Sequence, residues 1–502
     1  MNINILESIE YAAKTWGDKV AYTDDHETVS FNEVLNECYQ IGSELSKHIE
    51  PNKPVIILLK KSVHVPSVYL GVVAAGCYYV PLDIDMPLNR LKTIIDIVNP
   101  EAIFTDKQYI LPEEIEFSGQ VFTLEHCLTQ EIDTQRLINL RKVHIDTDPL
   151  YVIFTSGSTG VPKGVITSHR SVINYINVFV NTFNINSNDI LGNQAPLDYV
   201  AAIRDIYIPL FTGAQTVMIP KRLFSTPRLL FDFVNNHNVT TLCWVAPALS
   251  LCSELNVFEE TTLVYVNKVF FTGSVMPCKH LIVWQKSLPD SLFVNHYGPT
   301  EITASCSYYI VDHIVNEDEV LPIGVPFSNM NMFLLSETNE SVPTEDIGEI
   351  CVRGPGLALG YFNDLDRTKV SFTNNPLNTV FPETIYRTGD LGSIDENGIM
   401  HFHGRLDTQI KHMGHRIELL DIEAMTLSLD GISNACCIYD QEKSTIWLFY
   451  SGLTDTRTVS KYLRERLPAY MVPRKYEKIA EMPKLMTGKI DINILKTMIA
   501  AR

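Results

Sequence analysis

Apolar runs without a polar partner face recur through the first 300 residues: PVIILL at 54–59, YYVPL at 78–82, LYVIF at 150–154 and VFF at 269–271. They alternate with segments of helical periodicity, the pattern of an α/β protein. A strand apolar on both faces has to be covered on both, so these runs predict parallel sheets flanked by helices. From about Leu321 the texture changes to glycine-bounded alternating segments, GEICVRG at 348–354 and GIMHFHG at 398–404, which predict antiparallel strands joined by tight turns. Beyond Gly404 a charged stretch leads into helix, strand and helix patterns of a small α+β unit. The boundary is placed near Asp407, giving domains 1–406 and 407–502.

A length of 502 residues exceeds one ordinary core and agrees with that division. The hydrophobic share of 45% and charged share of 20% are those of a globular protein. A formal charge of -19 argues against nonspecific nucleic-acid binding and against anionic membranes, both of which need basic surfaces. The ten cysteines form no C-x-x-C pair and no zinc spacing with histidine, so they are expected as reduced, mostly buried thiols. The N-terminus lacks a signal-peptide pattern and no apolar run reaches membrane-spanning length, which makes the cytoplasm the default expectation.

The chemistry concentrates first at 151–164, YVIFTSGSTGVPKG, where a buried strand opens into a loop of small residues. Gly157, Gly160 and Gly164 let the backbone approach an anion, Thr155, Ser156, Ser158 and Thr159 offer hydroxyls, and Lys163 offers charge. The spacing is neither the Walker pattern nor the dinucleotide pattern, so the loop alone fits a Ser/Gly turn as well as an anion cradle. Four more segments decide between them: NHYGPTE at 295–301, YRTGDL at 386–391, GRLDTQIKHMGHRIELLDIE at 404–423 and LMTGKID at 485–491. With AGCYYVPLD at 75–83 and LPAYMVP at 467–473, this order and spacing resembles the adenylate-forming superfamily over nearly the whole chain. Within it the texture is similar to adenylation domains of nonribosomal peptide synthetases and to stand-alone D-alanine carrier-protein ligases.

That resemblance implies a large adenylation domain of parallel sheets plus an antiparallel barrel-like part, and a small mobile α+β domain. It implies ATP and Mg²⁺. The 155–164 loop would cradle pyrophosphate, Thr300 would meet the α-phosphate and Glu301 would hold Mg²⁺, a cation that prefers carboxylate and phosphate oxygens. Asp390 would accept the ribose hydroxyls, Arg405 would steady the ribose, and Tyr297 falls in the same nucleotide site. Lys489 would bridge the substrate carboxylate and the nucleotide in the transition state. Asp407 would be the hinge about which the small domain, with Lys411, Gly414 and Arg416, reorients between adenylation and thioester formation. The chain ends at Arg502, leaving no room for a carrier domain, so the expected acceptor is the phosphopantetheine thiol of a separate carrier protein, with CoA as the alternative acceptor. A catalytically inactive nucleotide-binding regulator on the same fold is the contrasting class, against which the joint presence of Lys489, Glu301 and Asp390 argues.

The acid pocket departs from the amino-acid pattern of that family. In the ungapped segment 194–214, Tyr199 stands where an aromatic residue precedes the ammonium-binding aspartate, and Val200 stands for the aspartate itself. Valine cannot pair with an ammonium, so an α-amino acid is disfavoured unless Asp198 or Asp205 takes that part. Around it the resemblance places Ala201, Arg204, Trp244, Phe270, Thr272, His296, Ala304 and Ser305. Trp244, Phe270 and His296 would give flat walls for a planar ring; Thr272, Ser305 or Arg204 would meet ring hydroxyls, amino groups or a second acid. An aryl acid, such as a hydroxy- or aminobenzoate, ranks first, and an α-keto or α-hydroxy acid next. Each of these positions taken alone reads equally as core.

Overall fold

A computed structural model describes residues 3–155, 161–406, 409–441, 443–483 and 490–500. The chain divides into two compact units, one of residues 1–84, 98–153 and 164–406, the other of residues 85–97, 154–163 and 407–502. The second unit thus takes in two segments that precede the break at Asp407 in the sequence.

The first unit is built on three sheets. In the largest, Gln215–Met218, Ile190–Asn193, Thr241–Val245, Lys268–Thr272 and Leu292–Tyr297 run parallel, joined on one side by Val20–Thr23 and closed at both edges by antiparallel pairs. The second sheet carries three of the apolar runs as neighbours, Pro149–Thr155, Tyr78–Pro81 and Pro54–Ile57, paired in parallel. Its central strand Pro54–Ile57 is buried at every position, which is what a run without alternation requires of a strand covered on both faces. The alternating segments supply the third, antiparallel sheet, in which Gly348–Arg353 pairs with Thr384–Ile394 and that strand with Met400–Arg405.

Helices cover the faces by close approach. Phe31–Ser46 begins at a capping box, Ser30 and Glu33 each bonding the other's backbone, and crosses Val65–Ala74 where glycines meet: a Cβ on Gly42 would lie 2.7 Å from Ala74 Cβ. The face alternation of the large sheet separates two cores. Cys243 and Phe270 point into one, Trp244 and Phe271 into the other. In the second unit, Ile432–Asp440, Thr445–Gly452 and Lys475–Lys478 form a sheet packed by Leu419–Leu427, Thr456–Arg464 and Ile492–Ala500. All ten cysteines are buried and unbridged. No helix among the described residues is long and apolar enough to cross a membrane.

Candidate active site

The strand Leu292–Tyr297 leads straight into the first half of the site. At Gly298 the backbone passes against Ser305 so closely that a Cβ would collide with the Ser305 backbone. A single 3₁₀ turn, Thr300–Ile302, follows, and Thr303 and Ala304 then take left-handed φ values of 56° and 70°, unusual for residues with side chains. The turn is tied down at once: Thr303 Oγ1 donates to the Gly356 carbonyl at 2.8 Å, and the Ala358 amide donates to the Glu301 carbonyl at 2.8 Å. Such strain persists only where the surroundings fix it, and here it aims the Glu301 side chain. Glu301 is fully buried, and the Tyr361 hydroxyl donates to its Oε1 at 2.7 Å. Thr300 is buried beside it in the chain.

Asp390 is presented from the antiparallel sheet, where it sits opposite Arg405 in the ladder. One carboxylate oxygen accepts from Arg405 Nη1 and the other from the Tyr297 hydroxyl, while the Asp390 amide donates to Thr388 Oγ1 at 3.0 Å. Burial, and then the Asp390 charge, pushes the Tyr297 phenol well above its ordinary pKa, so it stays a donor. A carboxylate has about four lone-pair sites, so each Asp390 oxygen keeps capacity for a further donor such as a vicinal hydroxyl. The residues therefore fit a nucleotide.

Thr155 ends one strand and Lys163 opens the next, Lys163–Ser168, with both side chains buried. Thr155 Oγ1 meets no hydrogen-bond partner among the described residues. Ser156, Gly157, Ser158, Thr159 and Gly160 between them lie outside the described residues, as do Asp407 and Lys489.

The second half is an aromatic chamber. His296 packs in near-parallel orientation on Phe179 at 5.4 Å and on Phe327 at 6.0 Å, and meets Phe183 and Phe270 edge-on at 5.3 and 5.5 Å. Burial, and then the charge of Arg204, holds its imidazole well below the ordinary value, so it is neutral. Val200 and Ala201, in the 3₁₀ turn Val200–Ala202, belong to the same buried cluster as Phe270 and Ala304, with Tyr199 half-buried against it. Arg204, from the helix Ile203–Thr212, is 1% exposed; its guanidinium lies 5.8 Å from the Phe179 ring. The Tyr175 hydroxyl faces it and is bonded to Ser305 Oγ at 2.8 Å. Thr272 Oγ1 donates to the His296 carbonyl at 3.1 Å.

Arg204, Phe270, His296 and Ser305 are thus brought together. Trp244 is not, which corrects the expectation that it forms one wall with Phe270 and His296. It points to the opposite face of its strand, where its Nε1 donates to the Gly192 carbonyl at 2.9 Å and its ring packs on Phe224 and Trp284. Cys243, one residue earlier, occupies the chamber side. Of the two aspartates near Val200 in the chain, Asp205 accepts from Asn193 Nδ2 at 2.6 Å and burial raises its carboxyl to about 6, while burial, and then Asp83, raises that of Asp198 to about 7. Tyr175, Phe179 and Phe327 pack in this cluster although the motifs do not name them. For Tyr175, Phe179 and Phe183 the available signal was their i, i+4, i+8 spacing, which by itself says only that one helix face is buried.

A buried carboxylate held by Tyr361, a second held by Arg405 and Tyr297, and a buried aromatic cluster are thus set out by one compact unit. The AMP-binding enzyme family matches residues 9–362, more than half of the chain, and the chain belongs to that family. It is 31% identical over 95% of its length to zwittermicin A synthase ZmaJ of Bacillus cereus, spanning 92% of that protein. It is 26% identical to a D-alanine–D-alanyl carrier protein ligase of Bacillus cytotoxicus, covering 99% of this chain and 100% of that one. Several longer synthases also match, and of those the chain spans between 7% and 44%. The solved structure of IdnL1 superposes with a TM-score of 0.83 at 24% identity, over 96% of this chain and 99% of that one, which shows the fold. The chain is accordingly an AMP-forming adenylating enzyme that activates a carboxylic acid with ATP.

Proposed function

We propose that this enzyme activates an aryl acid, such as a hydroxy- or aminobenzoate, and passes it to the phosphopantetheine thiol of a separate carrier protein. In the first half-reaction a carboxylate oxygen attacks the α-phosphorus of ATP, forming the acyl phosphate bond of acyl-AMP as pyrophosphate leaves; in the second the thiol displaces AMP. Catalysis of the first step is positioning and charge neutralisation. Asp390, with Arg405 and Tyr297 holding it, would bind the ribose, Thr300 the α-phosphate, and the segment from Thr155 to Lys163 the pyrophosphate. The buried carboxylate of Glu301, fixed by Tyr361, is the group that would hold Mg²⁺, which would neutralise phosphate charge. Lys489 would supply the transition-state cation, and Asp407 the hinge on which residues 407–502 turn between the two half-reactions. The observation that carries the acid assignment is the buried cluster itself: Val200, where an ammonium would need a carboxylate, shares it with Phe179 and Phe270, against which the neutral His296 packs.

The test is carboxylate-dependent ATP–pyrophosphate exchange across benzoates, keto acids and amino acids, followed by loading of a carrier protein read by mass spectrometry. Benzoates are expected to lead, and Lys489→Ala to lower exchange on the order of 10²-fold while sparing transfer from preformed acyl-AMP. Preference for an unmodified α-amino acid would overturn the substrate class, and faster turnover with CoA would overturn the acceptor.

A further inference from the structure

Arg204 is the group in the chamber that its surroundings do not explain. It is buried to 1% exposure, and its Nε and Nη1 meet no hydrogen-bond partner among the described residues. Arginine does not lose its proton at any ordinary pH, so the charge has to be met where it lies. Tyr175 and His296, which face it, are neutral, and the Asp205 carboxylate acts on it only through space. Tyr175 is held protonated by burial and bonds to Ser305, and the His296 imidazole is uncharged. Asp205, next in the chain, forms no ion pair with it; its carboxylate is turned to Asn193, in a region where the amine of Lys61 also caps the Asn193 and Ile219 carbonyls. A buried guanidinium whose Nε and Nη1 lack acceptors is a costly arrangement, and it is relieved where a ligand brings acceptors and counter-charge.

We propose that Arg204 binds a second carboxylate on the substrate, so that the acid activated is a dicarboxylic acid: one carboxyl reacts with ATP and the other pairs with the guanidinium inside the aromatic chamber. This rests on the adenylation reading above and narrows its substrate class. A phenol or an aniline amino group can touch Arg204 but leaves its charge unbalanced. A carboxylate supplies both acceptors and charge. The flat faces of Phe179 and His296 suit a ring between the two carboxyls, and benzene dicarboxylates are therefore compared with aliphatic diacids as arms of one test.

The experiment measures binding by calorimetry, with no turnover needed, for phthalate, isophthalate, succinate and glutarate, each against its half-amide. The diacids are expected to bind roughly 10- to 100-fold more tightly than the half-amides, the difference made by a charged hydrogen-bonded pair. Arg204→Met should bring that ratio close to one while still binding the half-amides, and Arg204→Lys, which keeps the charge, should retain most of it. Equal binding of diacid and half-amide by the wild-type enzyme overturns the assignment without recourse to any variant. So does a preference that survives Arg204→Met. Pyrophosphate exchange on the same compounds separates the two readings: Arg204-dependent diacid binding with no exchange from any acid upholds this assignment and removes the adenylation reading. Exchange driven by monocarboxylic acids alone does the reverse.

Discussion

The half of the site proposed for the nucleotide and the half proposed for the acid treat buried charge in different ways. Around Asp390 and Glu301 the protein supplies its own partners, with Arg405 and Tyr297 on one carboxylate and Tyr361 on the other. Around Arg204 it leaves Nε and Nη1 without a hydrogen-bond partner among the described residues, and Asp205 acts on the charge only through space. The nucleotide is the same in every turnover, so donors and acceptors can be fixed in advance, which is the arrangement that makes electrostatic stabilisation effective. The acid is what distinguishes one such enzyme from another. There the surroundings leave the decisive charge for the substrate to complete, and selectivity comes from the penalty that a wrong acid cannot remove.

The sharpest way to break this contrast is to remove one partner from each half. Asp390→Ala leaves the mostly buried Arg405 guanidinium and the Tyr297 hydroxyl without their acceptor. Breaking such a pair costs about 3–5 kcal/mol of stability, and the loss of ribose positioning should lower exchange on the order of 10²-fold or more. Arg204→Met, in contrast, breaks no ion pair and withdraws only a through-space charge from Asp205, so in the absence of ligand its melting temperature should fall less than that of Asp390→Ala. If thermal unfolding shows Arg204→Met to be as damaging as Asp390→Ala, the two halves are not different in kind.

A smaller effect is expected from Tyr361→Phe, which deletes one hydroxyl and leaves the ring in place against Phe372. Glu301 Oε1 then loses a buried donor, a change worth about 1–2 kcal/mol. The Mg²⁺ concentration needed for half-maximal exchange should move by roughly tenfold, with little change in the dependence on the acid. A shift in acid dependence with none in Mg²⁺ dependence would place Tyr361 in the acid half instead.

The same division governs what the sequence made legible. Glu301, Asp390 and Arg405 stand in segments that the resemblance assigns to the nucleotide, and the structure gathers Tyr297, Asp390 and Arg405 into one cluster although 93 residues separate the first two. The unalternating run at 54–59 foretold a central strand because burial on both faces leaves no other pattern. Pairings between distant segments left no such trace: Val20–Thr23 lies beside Gln215–Met218 through backbone bonds that any side chains permit. Trp244 shows a second kind of failure. Successive strand residues face opposite ways, so a one-residue offset in matching a segment carries a side chain through the sheet from chamber to core. Arg204 could be placed near the pocket from its position in the segment 194–214, but the want of acceptors at its Nε and Nη1 depends on where Tyr175, Ser305 and Asp205 turn their side chains, which no pattern along the chain records.

The acid half can also be probed through His296, with the smallest expected effect of the three. Its imidazole is neutral in the folded state because burial and the Arg204 charge both oppose protonation. The unfolded chain takes up that proton near pH 6.5, so the contribution to stability is present in full above that pH and is lost as the pH falls below it. His296→Phe keeps a flat ring against Phe179 and Phe327 and removes the titration. The variant should match the wild type at pH 7.5 and gain on it by about 1 kcal/mol by pH 6, measured by urea unfolding at each pH. His169, buried in the same unit and held down to about 3, first by burial, adds a parallel acid sensitivity that the substitution leaves untouched, so the wild type and the variant should both lose stability in acid but at different rates. Curves that run together from pH 7.5 to pH 5 would mean that the chamber accommodates a second cation beside Arg204, and a chamber able to do that would not need a dianionic substrate.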